Sequence, residues 1–238
     1  MSIMKKALSL FLAVILVLSL SSGALAAPAG SGRTAPPVQL PAELIFRQSV
    51  NAVFMLETFG RDGKSIRTGS GFFITGAGLA VTNLHVLENA STATITLYNG
   101  DVFPLRGVHA TSKKFNLAII SIESDADDWD HLTLGDSSKI EPGNSVYVIG
   151  SPLELINTMT QGIISHKRRD VSGEILIQFT APISFGSGGS PVLNAYGQVI
   201  GIASSSFSYG QNLNLAVPAN HIKTLTPSEF MPLDSLLP

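Results

Sequence analysis

Residues 69–88 read Gly69-Ser-Gly-Phe-Phe-Ile-Thr-Gly-Ala-Gly-Leu-Ala-Val-Thr-Asn-Leu-His-Val-Leu-Glu88. An aromatic and β-branched run, a glycine turn and a second apolar run spell strand, turn and strand. The second strand ends in Thr82-Asn-Leu-His-Val86, so His85 stands where a strand gives way to a short helical turn. An imidazole placed there can project into a cleft and take a proton from a hydroxyl nucleophile. A histidine taken alone is more often structural. His109, His131, His166 and His221 lack this setting.

Outward from this element the chain keeps the same character. Short apolar runs occupy Ala52–Phe59, Gly71–Ile74, Leu79–Thr82, Ala93–Leu97, Leu117–Ile122, Ser145–Ile149, Ile175–Phe179, Gln198–Ser204 and Asn214–Val217. Gly, Asn, Asp and Pro break them at even spacing, which predicts an all-β barrel or sandwich. Ala42–Gln48 is expected as a short helix and Pro218–Leu225 as a closing C-terminal one. No long amphipathic helix and no solenoid repeat is evident.

The chain has 238 residues and no cysteine, so disulfides and thiol chemistry are excluded and stability rests on core burial. Met1–Ala26 has the pattern of a secretory signal peptide: Lys5 and Lys6, an apolar run over Ala7–Leu20, and Ala24-Leu-Ala26 as a cleavage site. Ala27–Pro41, rich in Ala, Pro and Gly, reads as a spacer. The main domain is expected over residues 42–225 and a tail over 226–238. Cleavage leaves thirteen basic and seventeen acidic side chains, a net charge of −4. No basic patch points to nucleic acid, and no second apolar stretch points to a membrane. The acidic run Glu123–Asp130 lacks the spacing and central glycine of a calcium loop and reads as a solvated turn. The scattered histidines form no His-Glu-x-x-His pattern, so neither a metal nor another cofactor is expected.

The second chemical signal is Thr180-Ala-Pro-Ile-Ser-Phe-Gly-Ser-Gly-Gly-Ser-Pro-Val-Leu-Asn194. With Gly-Ser-Gly-Phe-Phe-Ile and Thr-Asn-Leu-His-Val it resembles the HtrA-type, trypsin-like serine proteases. Phe115-Asn-Leu-Ala-Ile-Ile-Ser-Ile122 is similar to that family's aspartate segment. Val148–Leu153 with Thr160–Ile164 is similar to the strand pair before the nucleophile loop. Gly197–Ala203 with Gly210–Pro218 is similar to the substrate-binding strand and barrel closure. The resemblance covers residues 42–225. It implies two six-stranded antiparallel β barrels with the site in the cleft between them. Nothing after Leu225 matches the PDZ domain common in that group.

The family chemistry needs a Ser to attack a carbonyl, a His to take its proton and an Asp to hold the His tautomer. This chain departs at two of the three places. Asn116 stands where the family pattern has Asp-Leu-Ala. Its amide carries no charge and can hold the wrong tautomer, and in the chymotrypsin template the same change lowers turnover by about 10⁴. The family loop runs Ala-Pro-Ile-Ser-x-Gly-Ser-Ser-Gly, with the second serine of the pair as nucleophile. Gly188 occupies that place in an ungapped alignment. Ser187 lies one residue before it and Ser190 two after. A shifted register would make Ser187 the nucleophile.

Gly186 and Gly188 are the expected oxyanion-hole donors. Ala203, Ser204 and Ser205 are the expected wall for a small or medium apolar side chain. The strand edge over residues 203–206 is expected to pair with an extended peptide. Two functions follow from different classes. One is a secreted pseudoprotease that binds peptide or protein. The other is an active secreted endopeptidase using His85, Asn116 and Ser187.

Overall fold

The computed structural model describes residues 38–171, 173–204 and 213–236. The stretch read as a signal peptide, residues 1–26, and the part of the expected spacer up to residue 37 lie outside the described residues. Helix α1 (Ala42–Ser49) leads into the first barrel. Its strands are β1 (Val53–Phe59), β2 (Ser65–Phe73), β3 (Leu79–Asn83), β4 (Thr92–Leu97), β5 (Val102–Ser112) and β6 (Leu117–Ile122). They close in the order β1-β2-β3-β6-β5-β4. The second barrel comprises β7 (Ser145–Gly150), β8 (Thr158–Val171), β9 (Glu174–Phe179), β10 (Pro191–Asn194), β11 (Val199–Ser204) and β12 (Asn214–Pro218). It closes as β10-β11-β12-β9-β8-β7. Both sheets are antiparallel throughout. The expected pair of six-stranded antiparallel barrels is thus the observed architecture.

The apolar runs make sense once both faces of each strand are counted. On β6, Leu117 and Ile119 enter the cluster shared by the two barrels, while Ala118, Ile120 and Ile122 fill the first barrel. On β7, Val146 and Val148 fill the second barrel, while Tyr147 and Ile149 face the shared cluster. Successive side chains of a strand point to opposite faces, so a strand covered on both sides needs apolar residues at every position. The shared cluster joins the barrels through Val53, Phe72, Val81, Ile202, Leu215 and Val217. At Gly71 a side chain would collide with the Phe54 ring, at 2.5 Å. That glycine lets the strand pass over the packed aromatic.

Three strands outrun or escape the sequence reading. β5 mixes apolar with polar residues and exposed with buried positions, the far half of β8 is largely exposed and polar, and β10 is only four residues long. The closing helix is a 3₁₀ turn over Ala219–Thr224 rather than an α-helix. The stretch read as a tail is packed structure. The Met231 N–H donates to the Val108 carbonyl at 2.8 Å and the Val108 N–H returns the bond at 2.9 Å. Leu233 is buried in the first barrel's cluster. The run Glu123–Asp130 is a loop tied down by Trp129, whose indole packs on Phe73 and Phe103.

Candidate active site

Helix α2 (Leu84–Leu87) is a single turn that follows β3 without a break. Leu84, Val86 and Leu87 are buried in the first barrel's cluster, which turns His85 outward and leaves it half-buried. Arg67 fixes the turn from outside, donating to the carbonyls of His85 at 2.9 Å and Glu88 at 2.7 Å. Thr82 holds the strand before it by donating to the Ser70 carbonyl at 2.8 Å.

Asn116 sits in the β5–β6 connection with φ of +50°. Asparagine tolerates this left-handed conformation better than most side chains. Its carbonyl accepts the Leu84 N–H and the Asn83 side-chain amide, both at 3.1 Å. Its side chain meets His85 twice. Oδ1 accepts the backbone N–H of His85 at 2.9 Å, and Nδ2 lies 2.8 Å from the ring's Nδ1. A backbone N–H only donates, so the atom facing it is the amide oxygen. The amide nitrogen then faces the ring, and two donors cannot point at each other. Nδ1 is therefore the acceptor, and the ring proton resides on Nε2.

Burial holds the His85 imidazole below the ordinary histidine range, with the Arg67 guanidinium adding to the effect and Glu88 opposing it. An amide oxygen of Asn116 facing the ring would favour the imidazolium and oppose burial. The backbone N–H claims that oxygen here, so Asn116 also disfavours the imidazolium.

The loop before β10 is held by its own turns and by the first barrel. The Ser187 N–H donates to the Ser184 carbonyl at 3.0 Å, and the Ser187 Oγ accepts the Ser184 N–H at 3.3 Å. Ser187 is only 3% exposed, with its hydroxyl turned into that turn. The Gly188 carbonyl accepts the Ser70 N–H at 2.8 Å and packs on Gly69. A Cβ on Gly69 would also touch Val86, so Gly188 lies against the histidine turn. Gly186 and Gly189 have φ near +90°, and a Cβ on either would strike a backbone oxygen. Ser190 is fully buried and its Oγ has no partner. Among the described residues no hydrogen bond joins His85 to Ser187 or Ser190, and none uses the N–H of Gly186 or Gly188.

The expected binding wall divides. Ala203 offers a peptide no backbone group: its carbonyl accepts the Gly189 N–H and its N–H donates to Ser190, both at 2.9 Å. Ser204 pairs with Leu215 on β12, is buried, and has an unpartnered Oγ. Ser205 lies outside the described residues. Arg67 and Ser70 were missed by the sequence reading. Ser70 Oγ donates to the Gly186 carbonyl at 2.8 Å and accepts the Ser151 N–H at 3.0 Å. The signal for it is the serine inside Gly69-Ser-Gly71, a polar residue in a strand otherwise headed for the core. Among the described residues no group of three or more His, Cys, Asp and Glu could hold a metal ion.

Comparison with known proteins gives this geometry a context. The profile of the Trypsin-like peptidase domain matches residues 69–202. The serine protease HTRA3 of Mus musculus is 37% identical over 185 residues, which is 72% of this chain and 39% of that protein. Serine protease HTRA4 of Homo sapiens is 35% identical over 167 residues, 66% of this chain and 34% of that one. This chain thus spans less than two fifths of the length of either relative. A solved structure of the HtrA-type protease AlgW, in a serine-to-alanine form with a tripeptide, superposes with a TM-score of 0.71 at 27% identity. The match covers 78% of this chain and 62% of that one.

Proposed function

This chain belongs to the trypsin-like serine peptidase family, in its HtrA-type branch, and we propose that it is a pseudoprotease that holds extended peptide or protein segments without cutting them. The observation that carries this reading is the Asn116 amide on His85, with Nδ2 on Nδ1 and Oδ1 on the backbone N–H. A ring that carries its proton on Nε2 has no lone pair there to take one from a hydroxyl. The orienting Asp-to-Asn change alone costs about 10⁴ in turnover. The loop agrees, since Gly188 has no side chain to attack with, and loss of a serine nucleophile costs about 10⁶ in kcat. These losses fall on one working unit and do not multiply.

The N–H groups of Gly186 and Gly188, which meet no acceptor among the described residues, are the proposed donors to a peptide oxygen, and Ser205 and Ser206 stay the sequence-based candidates for pairing with an extended chain. The active-endopeptidase alternative gains no support from Ser187, whose Oγ is buried and occupied by Ser184. The Met1–Ala26 pattern supports export, so we place the working protein outside the cytoplasmic membrane. Among the described residues no helix is long and apolar enough to cross a membrane.

Fluorophosphonate labelling of the folded protein, with mass spectrometry to locate any adduct, tests this reading. The expected result is no adduct. An adduct on Ser187 that disappears in His85→Ala would overturn it and make the protein an endopeptidase.

A further inference from the structure

Separate from the His85 site, elements of both barrels border a cavity of about 190 Å³. The β5–β6 connection supplies Lys114 and Phe115, the start of β9 supplies Glu174 to Leu176, and Val217 of β12 and His221 of the 3₁₀ turn complete the wall. His85, Asn116, Ser187 and Gly188 line no part of it. Leu176 and Val217 belong to the cluster shared by the barrels, and Phe115 packs against that cluster, so the floor is apolar. Phe115 also stacks on His221, with ring centres 3.8 Å apart and planes inclined by 13°. Burial and the nearby Lys114 ammonium hold the His221 imidazole below the ordinary histidine range, so the stacked ring is largely neutral at pH 7.

Two opposite charges stand in this apolar wall without meeting. The Lys114 ammonium lies 5.3 Å from the centre of the Phe115 ring. Glu174 comes two residues before the buried Leu176, and strand alternation puts both on the face toward the shared cluster. Glu174 is half-buried. No ion pair links Lys114 or Glu174 to the other, or to any other described residue. Asp170, on the same hairpin, accepts the Gly173 N–H at 3.0 Å and lines no part of the cavity. A partly desolvated charge without a partner is costly, and here one of each sign borders the same small space.

We infer that this cavity is a binding site for a free apolar α-amino acid, with its side chain against Phe115 and Val217, its carboxylate on Lys114 and its ammonium on Glu174. The space is smaller than the roughly 300–1,000 Å³ of pockets that take larger ligands, which fits a single residue. An internal peptide segment carries neither charge, and a chain end carries one of the two. A free amino acid carries both on one carbon, beside the apolar group that the floor accepts. The site stands whether or not the protein cuts, so its test is independent of the fluorophosphonate experiment.

The test is calorimetric titration of the folded protein with L-phenylalanine, with 3-phenylpropionate, which lacks the ammonium, and with 2-phenylethylamine, which lacks the carboxylate. Amide spectra of ¹⁵N-labelled protein locate the ligand. L-Phenylalanine is expected to bind about fivefold more tightly than either analogue, the factor one partly exposed charge pair supplies, and to shift the amides of Phe115, Gly173 and Glu174. Lys114→Gln should erase its advantage over the amine, and Glu174→Gln its advantage over the acid. Both substitutions keep the length of the stem, and circular dichroism checks that the fold is kept. An analogue that binds as tightly as L-phenylalanine overturns the amino-acid assignment. Shifts confined to other parts of the chain overturn the location, and no binding of any of the three overturns the site.

Discussion

Ser70 and Gly188 tie the first barrel to the loop that opens the second: the Ser70 N–H donates to the Gly188 carbonyl at 2.8 Å. The contact is backbone to backbone, so it does not depend on which side chain stands at position 188. It survives the loss of a nucleophile, and it keeps the loop on the histidine turn. The next residue, Gly189, passes so close to the Ser70 carbonyl that a Cβ would come within 2.1 Å of it.

Gly189→Ala should therefore be strongly destabilising, by about 3 kcal/mol or more, from the positive φ and the clash together. Urea denaturation followed by circular dichroism measures it. A loss under about 1 kcal/mol, within the ordinary range for single substitutions, would mean the loop yields easily.

The His85 ring should carry its proton on Nε2 in the unmodified protein and on Nδ1 in Asn116→Asp. Long-range ¹H–¹⁵N spectra of the imidazole read the tautomer directly. The same tautomer in both proteins would sink the assignment.

Protonation should cost stability. The folded-state pKa of His85 is depressed, so the folded protein binds fewer protons than the unfolded chain below the usual imidazole value of about 6.5. Its contribution is present in full above that pH and is lost as the pH falls through the folded value. His221, lowered by burial and by Lys114, adds a slope of the same sign. The urea midpoint should thus drop from pH 7.5 to pH 5, and His85→Gln should flatten that drop. An unchanged slope in the variant would exclude His85 as a source.

Gly188→Ser alone should restore little hydrolysis of fluorogenic peptides. Adding Asn116→Asp should raise turnover by up to about 10⁴, the factor the orienting aspartate supplies in such triads. If the single variant matches the double one, Asn116 is not the obstacle described here.

Truncation after Leu225 should weaken the first barrel. It removes the Val108–Met231 bridge and the buried Leu233, and loss of that burial alone is worth about 2 kcal/mol. Thermal melting of the truncated chain is the measurement. An unchanged midpoint would return residues 226–238 to the status of a tail.

Much of the fold was legible because burial leaves a pattern. Runs such as Leu117–Ile120 and Val146–Ile149 are apolar at every position, and each became part of a strand covered on both faces. β5 was not legible. Its Pro104, Arg106 and His109 carry no period, and neighbouring strands supply the hydrogen bonds that hold it. The packed stretch around Met231 was missed for a related reason. Bonds to Val108 and His109 organise it, and those partners are far away in the chain.

At the site, residue identity was enough to name His85, Asn116 and Gly188, because a missing charge and a missing hydroxyl are facts of composition at a motif position. Identity left open which way the Asn116 amide faces and where the Ser187 hydroxyl points. Those depend on a backbone N–H at His85 that accepts nothing, and on a turn at Ser184 that supplies its own donor. Directional hydrogen bonds between segments distant in the chain settle such choices, and only the folded arrangement brings those donors and acceptors together.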